Sequence, residues 1–345
     1  MVLLILALAG AGAGLLYHFV GGLTGRTGRA MGAVRGASPP VAAAPAARAE
    51  LSRPVRPSQA AAAPAVDAAA AVELARTALR RDLGATSLRV QRLAAVALAR
   101  TQDPEACALL AAQLGLGPAD APVARAGETD ELAGNDIARL DLAYALARGG
   151  DRRGVDVLAR ALGAPRGEAR DEAAGLLARL GDRRAVPHLL DLLAVEQRRL
   201  AAAEHLARLA EPRALQVLDH VRGDPRASAD DKARATVALG IAGRGAVAGA
   251  LRDMLGDPHF NAFAAAALAA QGDRTARPVL ERQLASPPLR VQAARSLRRL
   301  DAAIDPRPLL PPLLDVVRAG RDIDRIPAAE AILLLAGPAG WSAYD

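Results

Sequence analysis

The amino-acid sequence predicts an all-α protein. Hydrophobic residues make up 52% of its 345 residues, but aromatic residues make up only 2%, and the apolar part consists mostly of the helix-favouring Ala and Leu. From residue 66 onward, apolar residues recur at the three- and four-residue intervals that place them on one face of a helix. This pattern repeats about every thirty residues. It predicts a right-handed α-solenoid of about seven or eight helical hairpins.

The N-terminal segment predicts a membrane anchor over residues 1–24. Residues 2–20 carry no formal charge, and as a helix they are about 28 Å long, close to the roughly 30 Å of a bilayer core. Three arginines follow this segment, at Arg26, Arg29 and Arg35. Their position weakly favours a cytoplasmic solenoid by the positive-inside rule. The predicted localisation is therefore the cell membrane, with a single pass.

Residues 25–65 predict a disordered linker between the anchor and the repeats. They are rich in Ala, Pro and Arg and contain scarcely any large apolar residue. A segment of this composition has too little apolar surface to stabilise a packed core. We therefore expect three parts, namely an anchor at 1–24, a linker at 25–65 and a solenoid at 66–345.

The positive charge of the chain lies mainly outside the predicted solenoid. The formal net charge is +7, and residues 1–60 contain six arginines and one acid. They account for +5 of the total and leave +2 to the other 285 residues. Proteins that bind the phosphate backbone usually carry a stronger basic balance. Nucleic acid is therefore the least expected partner.

Residue types that often carry catalysis or bind metal are scarce. Cys107 is the single cysteine, which excludes an intramolecular disulfide and a thiolate-rich zinc site. Its apolar neighbours predict a buried, inert thiol. The histidines of the solenoid lack the spacing of helical metal motifs, and the sequence contains no nucleophile elbow or phosphate loop. We therefore expect neither catalysis nor a cofactor.

The clearest repeat unit is residues 168–196, which predicts two antiparallel helices joined at Gly181-Asp182. Similar turns recur with an acid or its equivalent at positions 103, 151, 182, 211, 244 and 273. The steps between these positions are 48, 31, 29, 33 and 29 residues. The long first step indicates an insertion at 115–135, which is either a functional surface loop or a disordered one.

The repeat resembles the HEAT-like family, in particular the compact bacterial repeats of phycobilisome-lyase type. The resemblance rests on Ala173-Ala174-x-x-Leu177-Ala178-x-Leu180-Gly181-Asp182-x-x-Ala185-Val186-Pro187-x-Leu189-Leu190. It covers about 66–345. Because the shared motif is structural, the resemblance implies the fold and allows two functions: a protein-binding scaffold, or an enzyme or accessory subunit of bilin-lyase type.

A column of mostly basic residues predicts an interaction face along the solenoid. Twelve residues before each turn acid stands a basic or polar residue, and the next hairpin has one in the same place: Gln91, Arg139, Arg170, Arg199, Lys232, Asn261 and Arg290. The five cations of this column, Arg139, Arg170, Arg199, Lys232 and Arg290, are the candidate contact residues. They either bind an acidic ligand or pair with acids of adjacent repeats.

Taken together, these patterns predict a membrane-anchored scaffold that binds a protein partner and has no catalysis of its own. The alternative is a bilin-lyase-type enzyme or accessory subunit that binds a small cofactor in the concave groove. Nucleic-acid binding is the third and least favoured function.

Overall fold

The computed structural model describes residues 66–117 and 136–338, and both ranges belong to one compact unit. Within them the chain forms sixteen α-helices and no strand, which confirms the all-α class. The predicted anchor at 1–24, the predicted linker at 25–65 and most of the predicted insertion lie outside the described residues. The domain boundaries therefore stay predictions.

The helices follow one another with short connections. In chain order they are α1 (Ala68–Leu83), α2 (Leu88–Ala99), α3 (Pro104–Gln113), α4 (Asp136–Arg148), α5 (Arg152–Ala161), α6 (Gly167–Arg179), α7 (Val186–Leu192), α8 (Glu196–Arg208), α9 (Pro212–Gly223), α10 (Ala229–Ile241), α11 (Ala248–Met254), α12 (Asn261–Ala270), α13 (Arg277–Gln283), α14 (Arg290–Leu300), α15 (Leu310–Ala319) and α16 (Asp322–Ala336). A single 3₁₀ turn precedes each of α7, α11, α13 and α15.

The helices form two layers. From α2 to α12, each even-numbered helix packs on the odd-numbered helix that follows it and on the next even-numbered helix. Six hairpins result, from α2–α3 to α12–α13. The even-numbered helices make up one continuous layer, and the odd-numbered helices cover it. This arrangement agrees with the predicted solenoid.

The two ends of the array meet, which an open solenoid does not do. Helix α16 packs on α14 and α15 and also on α1 and α2, and α1 packs on α15. Helix α16 is therefore covered by helices from both ends of the described chain, α15 and α1. The even-numbered helices form a closed ring.

Ion pairs join the helices at this closure. Arg325 of α16 donates to both carboxylate oxygens of Asp82 on α1, at 2.8 and 3.2 Å, and Asp82 is buried. Arg100, which follows α2, pairs with the buried Glu330 of α16. Because both carboxylates are shielded from water, these pairs hold the closure in one register.

The hairpin turns are built as the sequence predicts. Four glycines have positive φ between 75° and 87°: Gly150, Gly181, Gly243 and Gly272. Glycine adopts this conformation without steric cost. In two other turns the same place is held by Gln102 at φ 58° and Ala210 at φ 53°. At four turns the next residue is an aspartate that caps the following helix by accepting a backbone N–H bond: Asp103, Asp151, Asp182 and Asp273.

The core consists of alanine and leucine stacked between the layers. The largest fully buried side chains are leucines, among them Leu98, Leu146 and Leu177. Alanine and glycine between them let helices approach closely. At Gly240, for example, an added Cβ would lie 2.6 Å from Leu251 Cδ1. Each layer thus buries its apolar surface on neighbouring repeats.

In the part of the chain that the structure describes, no helix combines the length and apolarity needed to cross a membrane. On this finding, the predicted single-pass localisation in the cell membrane is wrong for the described residues. The segment that suggested it, residues 1–24, lies outside them.

Candidate functional site

The predicted basic column lies at the start of the even-numbered helices, where most of its members bind backbone carbonyls. Each of four members donates to the carbonyl oxygen at the end of the preceding odd-numbered helix. These bonds join Gln91 to Leu83 at 2.8 Å, Arg139 to Leu114 at 3.1 Å, Arg199 to Leu193 at 3.0 Å and Arg290 to Leu284 at 2.7 Å. They satisfy carbonyls that a helix end leaves without an intrahelical partner.

The other members differ in their surroundings. Arg290 is buried and also reaches the carbonyls of Ala285 and Asp324. Lys232 is half-buried. Arg170 is half-buried, and its Nε has no hydrogen-bond partner among the described residues. The column thus connects successive helices, and the prediction that it forms an interaction face stays a prediction.

The basic column has an eighth member, Arg325, which was not identified from the sequence. Arg325 is the fourth residue of α16, as Arg139 is of α4 and Arg199 is of α8. It donates to the carbonyl of Gly320 at 3.4 Å and also makes the ion pair with Asp82 that closes the ring.

A second cluster, which the sequence reasoning did not select, lies on the even-numbered helices. We call it the inner cluster. It consists of Tyr144 and Arg148 on α4, Arg179 on α6 and Arg295 on α14. The Arg148 side chain is buried, and its guanidinium carbon lies 5.9 Å from the centre of the Tyr144 ring. This distance is within the range of a cation–π contact.

Arginines on three helices affect the ionisation of Tyr144. Burial alone raises the pKa of a phenol. The guanidiniums of Arg148, Arg179 and Arg295, with a hydrogen bond from Arg148, outweigh that effect and lower the pKa of Tyr144. Three cations from three helices therefore act on one hydroxyl group.

Two carboxyl groups lie beside the inner cluster, on α4 and α6. Burial first, and then the neighbouring Glu172, raise the pKa of Asp141 to about 6 against the opposing effect of Arg179. A carboxyl with this pKa exchanges its proton near neutral pH. Asp141 is therefore the one described group at this cluster that is placed to give or take a proton under mild conditions.

Other charged residues on the even-numbered helices form pairs between neighbours. Arg234 of α10 binds Glu204 of α8 through two bonds, at 2.8 and 3.2 Å, and Arg100 pairs with Glu330. Arg179, in contrast, has no ion pair within 4.0 Å in the described part of the chain.

A histidine–aspartate contact links three helices elsewhere in the array. His188 of α7 lies with Nε2 2.7 Å from Asp171 Oδ1 on α6, and Asp171 also contacts Arg198 of α8. Burial, and then Arg170, lower the pKa of His188. The neutral imidazole and its two neighbours form a structural link between these helices.

The described residues offer no further chemical centre. Cys107 is half-buried, and burial, with Asp151 and Asp103, raises the pKa of its thiol. A raised pKa disfavours the reactive thiolate. No group of three or more His, Cys, Asp or Glu side chains in residues 66–117 and 136–338 is placed to hold a metal ion.

One part of the inner cluster was accessible from the sequence. Arg148 and Arg179 each stand three residues before a turn aspartate, as Arg100 does, so aligning the repeats would have found them. Arg295 was not accessible in this way, because the next acid, Asp301, follows it by six residues.

No protein-family model matches this sequence, and no curated protein matches it either. A solved structure, the complex of CpcE and CpcF of phycocyanin lyase from Nostoc sp. PCC7120, is similar to it. The similarity has 21% sequence identity and a TM-score of 0.40, over 78% of this chain and 98% of that chain. It agrees loosely with a HEAT-like helical architecture and assigns no residue of the present chain.

This comparison also corrects one prediction. The sequence predicts a chain without catalysis, whereas the similar structure is that of a phycocyanin lyase. On this finding, the prediction that the chain is not an enzyme is wrong. The similar structure is a complex of two subunits.

Proposed function

We propose that this chain is a bilin-lyase-type enzyme, or an accessory subunit of one, and that it binds a small cofactor on the face of the even-numbered helices. The observation that carries this proposal is the contact at 5.9 Å between the buried guanidinium of Arg148 and the ring of Tyr144, a phenol whose pKa Arg148, Arg179 and Arg295 lower. A linear tetrapyrrole has carboxylate side chains, which guanidinium groups bind through paired hydrogen bonds. Its flat ring system suits contact with an aromatic side chain.

The residues of this face also supply acid–base chemistry. Addition of a nucleophile to a double bond requires a proton at the other carbon. Asp141, whose pKa is about 6, donates or accepts a proton near neutral pH, and a donor with such a pKa is effective in general acid catalysis. The arginines would hold the ligand while Asp141 exchanges the proton.

A protein partner is part of the proposal. Three large apolar side chains are exposed at the start of even-numbered helices: Leu88 at 55%, Ile137 at 41% and Val195 at 41%. Exposed apolar groups of this size supply contact area in protein interfaces.

The predicted right-handed sense of the array also remains a proposal.

Titration of the full chain with the linear tetrapyrrole biliverdin, followed by its absorption spectrum, tests the proposal. We expect a saturable spectral change, and about tenfold weaker binding for Arg179→Gln, because a lost charged hydrogen bond costs about 1.5–3 kcal/mol. Arg213→Gln is the matched control, since Arg213 is an exposed arginine on the odd-numbered helix α9. No spectral change with the unaltered chain would overturn the proposal.

A further inference from the structure

One hairpin has polar residues at two positions that are apolar in the other repeats. Asp171 of α6 directly follows a member of the basic column, and the residues that follow six of the other seven members are apolar: Leu140, Leu200, Ala233, Ala262, Val291 and Ile326. His188 of α7 lies six residues after a turn acid, and the five equivalent positions are all apolar: Leu109, Val157, Val217, Ala250 and Val279. Polar groups in a packed layer cost stability. Such departures from a repeat are expected at functional sites.

These two residues bind each other. Nε2 of His188 lies 2.7 Å from Oδ1 of Asp171, and Arg198 of α8 contacts the other carboxylate oxygen, Oδ2. Because an ionised carboxylate can only accept hydrogen bonds, Nε2 of the neutral imidazole carries the proton and Nδ1 carries the lone pair. The carboxylate therefore fixes both the orientation and the tautomer of His188.

The second ring nitrogen of His188 is open. The side chain is 22% exposed, and Nδ1 has no hydrogen-bond partner among the described residues. Charged groups face the imidazole from three helices: Arg170 and Asp171 of α6, Asp191 of α7, and Arg198 of α8 through its contact with Asp171. Burial, and then Arg170, lower the pKa of His188 against the effect of Asp191. The lone pair of Nδ1 is therefore free to accept a proton at pH 7.

We propose that His188, held by Asp171 and Arg198, is a general base that activates water for the hydrolysis of small carboxylic esters. A histidine bonded to a carboxylate through one ring nitrogen is the arrangement in which hydrolases use the other nitrogen as a base. No hydroxyl or thiol group in the described part of the chain is bonded to Nδ1, so the nucleophile is water. His188 is the catalytic residue, and Asp171 and Arg198 position it.

The reaction balances without a cofactor. Nδ1 takes a proton from water while the water oxygen attacks the ester carbonyl carbon, and the carbonyl π electrons move onto the carbonyl oxygen. When the tetrahedral intermediate collapses, the bond to the alcohol oxygen breaks and this oxygen takes the proton from Nδ1. Asp171 stabilises the imidazolium that exists between the two steps. The carboxylic acid and the alcohol leave, and His188 is neutral again.

Hydrolysis of p-nitrophenyl acetate by the full chain, followed by the absorbance of p-nitrophenolate, tests this inference. We expect His188→Gln to lower the rate at least about tenfold, because a positioned base contributes that much or more. Asp171→Asn is expected to lower it about tenfold, because the imidazole loses its orientation and tautomer. His259→Gln is the matched control, since His259 is exposed on the connection before α12, and it is expected to leave the rate unchanged.

The pH profile gives a readout that a purely structural contact would not produce. The rate is expected to rise with pH and then to level off, because only the neutral imidazole accepts a proton. The midpoint is expected below 6.5, the ordinary pKa of histidine. The rate is also expected to be lower in D₂O than in H₂O, because a proton moves during the attack of water. An equal rate in D₂O would indicate direct attack by the imidazole and would overturn the assignment as a general base.

A double variant, Asp171→Leu with His188→Val, separates catalysis from stability. It restores the residue types found at the equivalent positions, such as Leu140 and Val157, so we expect a folded chain with an equal or higher urea midpoint and without the hydrolytic activity of His188. A lower midpoint would show that the polar pair is structural and would overturn the inference. Equal rates of the unaltered chain and His188→Gln, or an unchanged rate in Asp171→Asn, would also overturn it. Circular dichroism verifies that each variant is folded.

Discussion

At the scale of single residues, the hairpin turns use a left-handed position that glycine suits best. Four of these turns have glycine there, but Ala210 occupies the same place at φ 53°. A side chain in this conformation lowers the free energy of unfolding by about 1–2 kcal/mol. Alanine offsets part of this loss, because it has fewer conformations than glycine in the unfolded chain.

Ala210→Gly is therefore expected to raise the free energy of unfolding by about 0.5–1 kcal/mol. The matched reverse change, Gly181→Ala, is expected to lower it by a similar amount, because a Cβ at Gly181 meets no atom within 4 Å and only the backbone is strained. Urea denaturation measures both changes. A loss of stability on Ala210→Gly would contradict this account of the turns.

The raised pKa of Asp141 predicts a pH dependence of stability. Below about pH 3 this carboxyl is protonated in both the folded and the unfolded chain. Its pKa rises from 3.8 to about 6 on folding, so as pH increases the unfolded chain ionises first and the free energy of unfolding falls. The loss is nearly complete above about pH 7, where the folded chain is ionised as well. A shift of this size corresponds to at most ~3 kcal/mol, and partial solvent exposure reduces the loss to about 1–2 kcal/mol.

Asp141→Asn is expected to remove this loss, so that the variant is more stable than the unaltered chain above pH 6 by about 1–2 kcal/mol. At pH 4 the two should differ little. Thermal denaturation across this pH range measures the difference. Asp253→Asn, at an exposed position, is the control. An equal difference at pH 4 and pH 7 would show that ionisation of Asp141 is not the cause.

At the scale of elements, the connection between hairpins depends on the basic column. Arg290 is buried and donates to three carbonyls, at 2.7, 3.2 and 3.3 Å. Arg199 occupies the same kind of position but is exposed and donates to one carbonyl. The two arginines therefore allow a matched comparison.

Arg290→Met is expected to lower the free energy of unfolding by about 2–3 kcal/mol, because buried carbonyls lose their donors. Arg199→Met is expected to cost less than about 1 kcal/mol, because water replaces the lost donor. Chemical denaturation of both variants measures the two losses in the free energy of unfolding. Equal losses would contradict a structural role that depends on burial.

The helices and their turns were predictable from the sequence, but the role of the column was not. The apolar spacing around Leu176 and Leu177 defines a helix face, and Gly181-Asp182 marks where the helix ends. The repeated position of Arg139 and Arg199 was also visible. A bond to the carbonyl of the preceding helix is not encoded in spacing, however, because it depends on how closely two helix ends approach in the fold.

At the scale of the whole molecule, closure of the ring was not predictable. A repeat period describes how each hairpin contacts the next, but it does not say whether the ends meet. Asp82 and Arg325 are 243 residues apart in the chain. Arg325 occupies the position of the basic column, but no sequence pattern marks Asp82 as its partner, so the contact between α16 and α1 could not be predicted.

The ion pair between Arg325 and Asp82 predicts how strongly the closure stabilises the protein. Arg325→Met is expected to lower the free energy of unfolding by about 3 kcal/mol, because it leaves the buried Asp82 carboxylate with only the longer contact to Arg81, at 3.5 Å. Adding Asp82→Asn to that variant should recover part of the loss. Arg307→Met is the control, since Arg307 pairs with Asp305 in an exposed position. No recovery in the double variant would argue against a direct pair.

The most direct test of a closed ring is the distance between α1 and α15. Spin labels at Thr77 and Asp315, both exposed, can be introduced by cysteine substitution in a Cys107→Ser chain, and pulsed electron paramagnetic resonance then measures the distance between them. Packed helices lie about 10 Å apart, so with the reach of the labels the closed ring predicts a single narrow distribution at about 15–30 Å. An open array of stacked hairpins would place these helices at opposite ends, with a distance beyond about 50 Å, and that result would contradict the account.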